Sequence, residues 1–86
     1  METEQDELER MSVYDMTHEE LVKYLVGTGL GFDKNYIRFF AESRLCNLAF
    51  QLRDCGFTRG RKLDNYTSLN RFNDIVEYNL RTIKRS

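Results

Sequence analysis

The chain contains no proline and no tryptophan, and its five glycines fall in only two places. Without proline, no position is forced to interrupt a helix, so breaks are expected only at Gly27/Gly29/Gly31 and at Gly56/Gly60. No apolar run approaches the roughly 20 residues that cross a bilayer, and no signal peptide opens the sequence. We therefore expect no membrane association.

Histidine and cysteine are also scarce, with one histidine and two cysteines in the chain. Cys46 and Cys55 lie on one predicted helix, on opposite sides and about 13 Å apart along its axis, so they cannot form a disulfide. His18 is expected in an exposed helical turn, which leaves no set of ligands with ordinary zinc spacing. The sequence predicts free thiols, no metal and no cofactor, in the cytoplasm or, in a eukaryote, in the nucleus.

Charge is distributed unevenly along the 86 residues, although the net charge is only −1. Residues 1–20 carry eight acids against one arginine, whereas residues 53–86 carry eight bases against four acids. We expect residues 1–12 to form an acidic arm, frayed or as a short helix started by Thr3 and Asp6, and residues 13–86 to form one helical domain. Whether this arm covers the basic part of the chain is left open.

Helical periodicity is strongest between residues 33 and 55. Six residues recur there at steps of three and four, which places them on one side of a helix: Ile37, Ala41, Leu45, Leu48, Leu52 and Cys55. The charged residues of the segment, Arg53 among them, are assigned mostly to its outer side. The segment is either one helix or two, the second starting at Ser43. A side this apolar requires other helices to cover it.

Two further segments have the signals of flanking helices. Thr17 and Glu20 form a capping box before an apolar stripe that Gly27 ends, and Ser68 or Thr67 is expected to cap a last helix. The glycines after residue 26 follow a helix rather than a strand, so they indicate a turn and not a phosphate loop. The predicted fold is all-α, a small single-domain bundle of four to five helices around a central apolar helix.

The connection between the last two helices contains the candidate site. It is basic and is flanked by aromatic residues, and the residues predicted to contact a partner are Phe57, Arg59, Arg61, Lys62, Tyr66 and Arg71. Arginine, tyrosine and phenylalanine are residue types that anchor interfaces. The same residues could neutralise phosphates and stack on bases, but the connection is much longer than the turn of a helix-turn-helix motif.

The sequence favours no catalytic function, because no cysteine has a positioned histidine and the carboxylates lie mostly in the acidic arm. We expect a small non-enzymatic regulatory or adaptor protein that binds another protein through charged and aromatic surface residues. The alternative is a helix-turn-helix-like regulator that binds nucleic acid through the loop at 57–66 and the start of the last helix. Self-association into a homo-oligomer is compatible with either hypothesis.

Overall fold

A computed structural model describes residues 3–57 and 65–81 of the chain. Those residues form five α-helices and a short 3-10 turn at Val13–Asp15, and they contain no strand. The helices are α1 (Glu4–Arg10), α2 (His18–Gly27), α3 (Lys34–Ile37), α4 (Glu42–Asp54) and α5 (Tyr66–Leu80). This arrangement confirms the predicted all-α fold.

Helix α4 is the centre of the bundle. It packs against α2, α5 and the 3-10 turn, while α1 and α3 pack on α2. Four of its residues are completely inaccessible to solvent: Leu45, Leu48, Ala49 and Leu52. Leu30 and Phe32, from the turn after α2, pack against this core as well. The predicted inward side of the central segment is therefore confirmed over the length of α4.

The segment 33–55 is two helices rather than one. The second helix starts slightly before Ser43, the residue that was expected to cap it. The chain leaves α3 at Ile37 and starts α4 after Ala41, which is extended and caps the helix with no side-chain hydrogen bond. Ser43 lies inside α4. Ala41 is exposed at this break, so it does not belong to the apolar side as its spacing indicated.

Helix α2 begins at the predicted capping box. Thr17 Oγ1 accepts a hydrogen bond from Glu20 N at 3.2 Å, and Glu20 Oε1 accepts one from Thr17 N at 2.9 Å. The helix ends at Gly27, but the left-handed residues are Gly29 and Gly31, with φ of 78° and 98°. These two glycines make the turn between helices that the sequence predicted.

Replacing Thr17 by alanine is expected to lower the free energy of unfolding by about 1 kcal/mol, since Glu20 N then loses its side-chain acceptor. Thr67→Ala provides a matched control, because the structure caps α5 with Asn65 and not with Thr67. Urea unfolding, monitored by circular dichroism, measures the free energy of unfolding of both variants. Equal destabilisation by the two substitutions would contradict the assigned caps.

Helix α1 is held to the bundle by Arg53, which the sequence placed on the outer side of its helix. The half-buried guanidinium donates to three carbonyl oxygens around the end of α1: Met11 O at 2.7 Å, Leu8 O at 2.9 Å and Glu9 O at 3.2 Å. It also donates to Tyr24 Oη at 2.9 Å and lies over that ring. A positive charge at a helix C-terminus is favourable because the free carbonyls there are partly negative.

The described part of the predicted acidic arm contains a short helix, α1, which contributes to the core. Thr3 and Asp6 form the predicted capping box of α1, and Leu8 is buried in the main apolar cluster. Lys23 of α2 pairs with Glu4 at 3.4 Å. One acidic residue of α1, Glu4, thus pairs with α2. The basic residues 59, 61 and 62 lie outside the described residues, so masking of them is not tested.

Helix α5 starts and packs differently from the sequence expectation. Its N-cap is Asn65, whose Oδ1 accepts from Ser68 N at 2.8 Å, so neither Ser68 nor Thr67 is the cap. Within its buried side lies a polar residue, Asn79, which donates to Ile75 O at 2.9 Å and to Gln51 Oε1 at 3.0 Å. The amide group thereby joins α5 to α4.

His18 is half-buried rather than exposed as predicted. Its Nε2 lies 2.8 Å from Phe40 O in the turn between α3 and α4. The side chain therefore joins the start of α2 to that turn.

Candidate binding groove between α4 and α5

The structure describes three of the six residues predicted to contact a partner, and these three differ in their exposure. Arg59, Arg61 and Lys62 lie outside the described residues. Tyr66, the first residue of α5, is 79% exposed. Arg71, one turn further along, lines a groove between α4 and α5.

Phe57 does not lie at a surface, contrary to the prediction. The side chain is only 2% exposed, and its ring packs edge-on against Phe72 with centroids 5.8 Å apart. It follows the left-handed Gly56, which turns the chain back onto the bundle after α4. A partner could reach this ring only by opening the core, so Phe57 has a structural role.

The groove has a volume of about 450 Å³, which is within the range of ligand sites. The C-terminal half of α4 and the middle of α5 supply its walls. The residues that line it are Gln51, Asp54, Cys55, Arg71, Asp74, Ile75 and Tyr78. On α5, Arg71, Asp74, Ile75 and Tyr78 are spaced at three and four residues, so one face of the helix presents them together.

The charges in the groove are available to another molecule. Asp54, Arg71 and Asp74 form no ion pair with one another within residues 3–57 and 65–81, whereas Lys23 on α2 pairs with both Glu4 and Glu19. The groove walls therefore present two carboxylates and one guanidinium to solvent. Its net charge is negative, although it lies on the more basic half of the chain.

Aromatic side chains border the groove. Tyr78, on α5, is 71% exposed. Beyond Asp54 lies a second depression of about 320 Å³, where Tyr14 and Phe50 pack with ring centroids 5.8 Å apart. Because Asp54 lines both depressions, the two depressions adjoin at this residue of α4.

The side chains of His18 and Cys46 each contact a backbone oxygen. Cys46 Sγ donates to Val13 O at 3.8 Å, and burial, followed by the negative charge of Glu42, raises the pKa of this thiol. A raised pKa leaves less of the nucleophilic thiolate at neutral pH. Cys55 is free and half-buried in the groove. Among the described residues, no group of three or more histidine, cysteine or acidic side chains could hold a metal ion.

Comparisons with known proteins add no relative to this description. No family model, no curated protein and no solved structure matches the chain. Within the described residues, no helix is both long and apolar enough to cross a membrane.

Arg71 was predicted from the sequence, whereas the other residues that line the groove were not. The spacing of Arg71, Asp74 and Tyr78 on the polar side of a predicted helix is visible in the sequence. The sequence does not show which residues of α4 oppose them, because that depends on how the two helices pack. Gln51 and Asp54 could have been found only from that packing.

Proposed function

We propose that this chain is a small, non-enzymatic regulatory or adaptor protein that binds another protein through the groove between α4 and α5. The observation that supports this proposal is the composition of the groove. A nearly buried Ile75 lies among three charges and beside an exposed tyrosine. Tyrosine and arginine around an apolar centre are the residues that contribute most to binding energy at protein interfaces.

The chemistry of the groove indicates which kind of segment it would bind. Asp54 and Asp74 favour a basic side chain, and Ile75 with Tyr78 favours an apolar one beside it. Arg71 could pair with a carboxylate of the same partner. A helical or extended segment that carries an arginine or lysine, a large apolar residue beside it and a nearby carboxylate satisfies all three requirements.

A photo-crosslinking amino acid at Tyr78 tests the proposal in extract of the source cell. We expect one predominant crosslinked protein, and we expect the double variant Asp54→Lys, Asp74→Lys to reduce that product by about thirtyfold, as loss of a hot spot would. The matched control carries the same crosslinker at Tyr66, which is equally exposed but does not line the groove.

Crosslinking of similar strength and identity at residues 66 and 78 would overturn the groove as the binding site. The same holds if the lysine variants crosslink as well as the original chain does. Circular dichroism of each variant establishes that the helices are retained. Both aspartates lie in a solvent-filled groove, so their replacement should leave the fold intact.

Nucleic-acid binding is the second candidate, and the exposure of Tyr66 at the start of α5 favours it. The ring is free to stack on a base, next to the basic residues 59–62 in the sequence. The acids on either side of Arg71 in the groove oppose it, because they repel phosphates. Binding of a generic DNA duplex that falls steeply with salt, and that weakens when Arg59, Arg61 and Lys62 become alanine, would favour this candidate over protein binding.

A further inference from the structure

A second exposed feature lies at the corner between α3 and α4. Phe39 is 76% exposed there, the highest exposure of any phenylalanine in the described residues. The guanidinium carbon of Arg38 lies 5.0 Å from the centre of its ring. An apolar ring and a positive charge are thus presented side by side, held together by a cation–π contact.

This corner is fixed by contacts on both sides of Phe39. The rings of Tyr36 and Phe40 pack edge-on at 5.2 Å. Tyr36 Oη donates to Leu80 O at 3.2 Å, and His18 Nε2 lies 2.8 Å from Phe40 O. The neighbours of Phe39 are therefore tied to α5 and α2. A ring presented from a fixed turn loses little conformational entropy when it binds.

The corner is also basic. Arg44, in the first turn of α4, donates to Arg81 O at 3.3 Å, which places a second guanidinium group at the same end of the bundle as Arg38. Glu42 is the acid at the start of α4. The corner therefore presents a phenylalanine with an excess of positive charge.

The corner matches the groove of the same protein in charge and in apolar character. The groove requires an apolar side chain over Ile75 and a basic one near Asp54 or Asp74, and the corner supplies Phe39 and Arg38. The chain cannot fill its own groove in this way. The corner is fixed at the start of α4, next to Glu42, whereas the groove includes Asp54 at the end of that helix. At about 1.5 Å per residue, these two positions lie about 18 Å apart along the helix axis.

We propose that the groove between α4 and α5 of one copy receives Phe39 and Arg38 from a second copy of the chain. This inference rests on the proposed function, because it names the occupant of the same groove. The two surfaces differ, so the contact is head-to-tail, and repetition can extend it into chains of more than two copies. A foreign partner with the same chemistry would then compete with self-association.

Sedimentation velocity of the full chain from about 10 to about 500 µM tests the proposal. We expect the weight-average sedimentation coefficient to rise with concentration in about 50 mM salt and to rise less in about 500 mM, since charges contribute to the contact. Phe39→Ala should weaken the association by about thirtyfold. Tyr66→Ala is the control, because Tyr66 is similarly exposed but belongs to neither the groove nor the corner. This substitution should leave the association unchanged.

Mixing two variants provides the most specific test. Phe39→Ala retains an intact groove, and the double variant Asp54→Lys, Asp74→Lys retains an intact corner. Each should be monomeric alone, and an equimolar mixture should form dimers and no larger species, because only one pair of intact surfaces remains. Arg38→Glu serves as a second corner variant and should behave as Phe39→Ala does.

A chain that stays monomeric over the whole concentration range would overturn self-association. So would association that Phe39→Ala leaves unchanged, or a mixture that forms no dimer. None of these results affects the proposed function if crosslinking at Tyr78 still captures a foreign protein and still depends on the two aspartates. Loss of that crosslinking together with retained self-association would instead show that the groove serves this chain alone.

Discussion

Leu48→Asp is expected to unfold the domain. Leu48 is completely inaccessible at the centre of α4, so aspartate would place an uncompensated charge among apolar side chains and would lose the packing of the leucine. A cost above about 4 kcal/mol belongs to the exceptional class of substitutions. An 86-residue domain has a total stability on the order of 4–13 kcal/mol. Far-UV circular dichroism at room temperature should show the loss of most helix.

Asn47→Asp is the control for this substitution. It introduces the same side chain at the adjacent position of α4, which is exposed, and should change the free energy of unfolding by no more than about 0.5 kcal/mol. A fully helical, cooperatively melting Leu48→Asp variant would show that the inward side of α4 has been misassigned.

Arg53→Met is expected to have the second largest effect, about 2–4 kcal/mol, because the carbonyl oxygens of Leu8, Glu9 and Met11 lose a charged donor while remaining near the core. Methionine keeps most of the apolar stem of arginine, so the loss reports mainly on the hydrogen bonds. Chemical denaturation measures the total loss. Hydrogen exchange should show that protection falls most in α1.

Arg44→Met is the matched control. Arg44 lies at the other end of α4, and its described contact is one hydrogen bond to an exposed carbonyl, Arg81 O. We expect a loss below about 1 kcal/mol and unchanged exchange in α1. If both variants lose similar stability, or if α1 keeps its protection in Arg53→Met, Arg53 does not hold α1 in place.

Local signals in the sequence were sufficient for the parts of the fold that depend on neighbouring residues. The predicted capping boxes at Thr3 and Thr17 are confirmed. They could be predicted because both partners of each box lie within one helical turn. The apolar spacing along residues 45–52 identified the buried side of α4. In each case the interaction is set by sequence separations of three or four residues.

The sequence was insufficient where the partner is distant or where no side chain marks the position. Arg53 was expected to face solvent because it is charged. Its acceptors are backbone oxygens 42 to 45 residues away, which no local pattern indicates. The start of α4 at Ala41 has no capping side chain, so Ser43 appeared to be the better cap. Phe57 was assigned to the surface because basic residues follow it, although the turn at Gly56 directs it inward.

The candidate site shows the same division. Tyr66 was expected in the loop before the last helix but is the first residue of α5, and Arg71 lies on the last helix as expected. Both are exposed, and whether they contact a partner stays a prediction. The groove itself is formed by two helices whose relative placement no local pattern specifies. Its two aspartates were therefore missed, as was the exposure of Phe39.

The amide of Asn79 has a consequence for this relative placement. It is buried where an aliphatic side chain would pack without any need for a partner, and it donates to Gln51 on the opposing helix. Sliding α5 by one turn along α4 would move the amide about 5.4 Å away from that acceptor. The N–H that donates to Ile75 O would keep its partner, but the other N–H would be left unsatisfied in the interior. Alternative alignments of the two helices are thereby penalised, as a single buried asparagine does in a coiled coil. The hydrogen bond between Asn79 and Gln51 thus helps to set which side chains of α4 and α5 face each other across the groove.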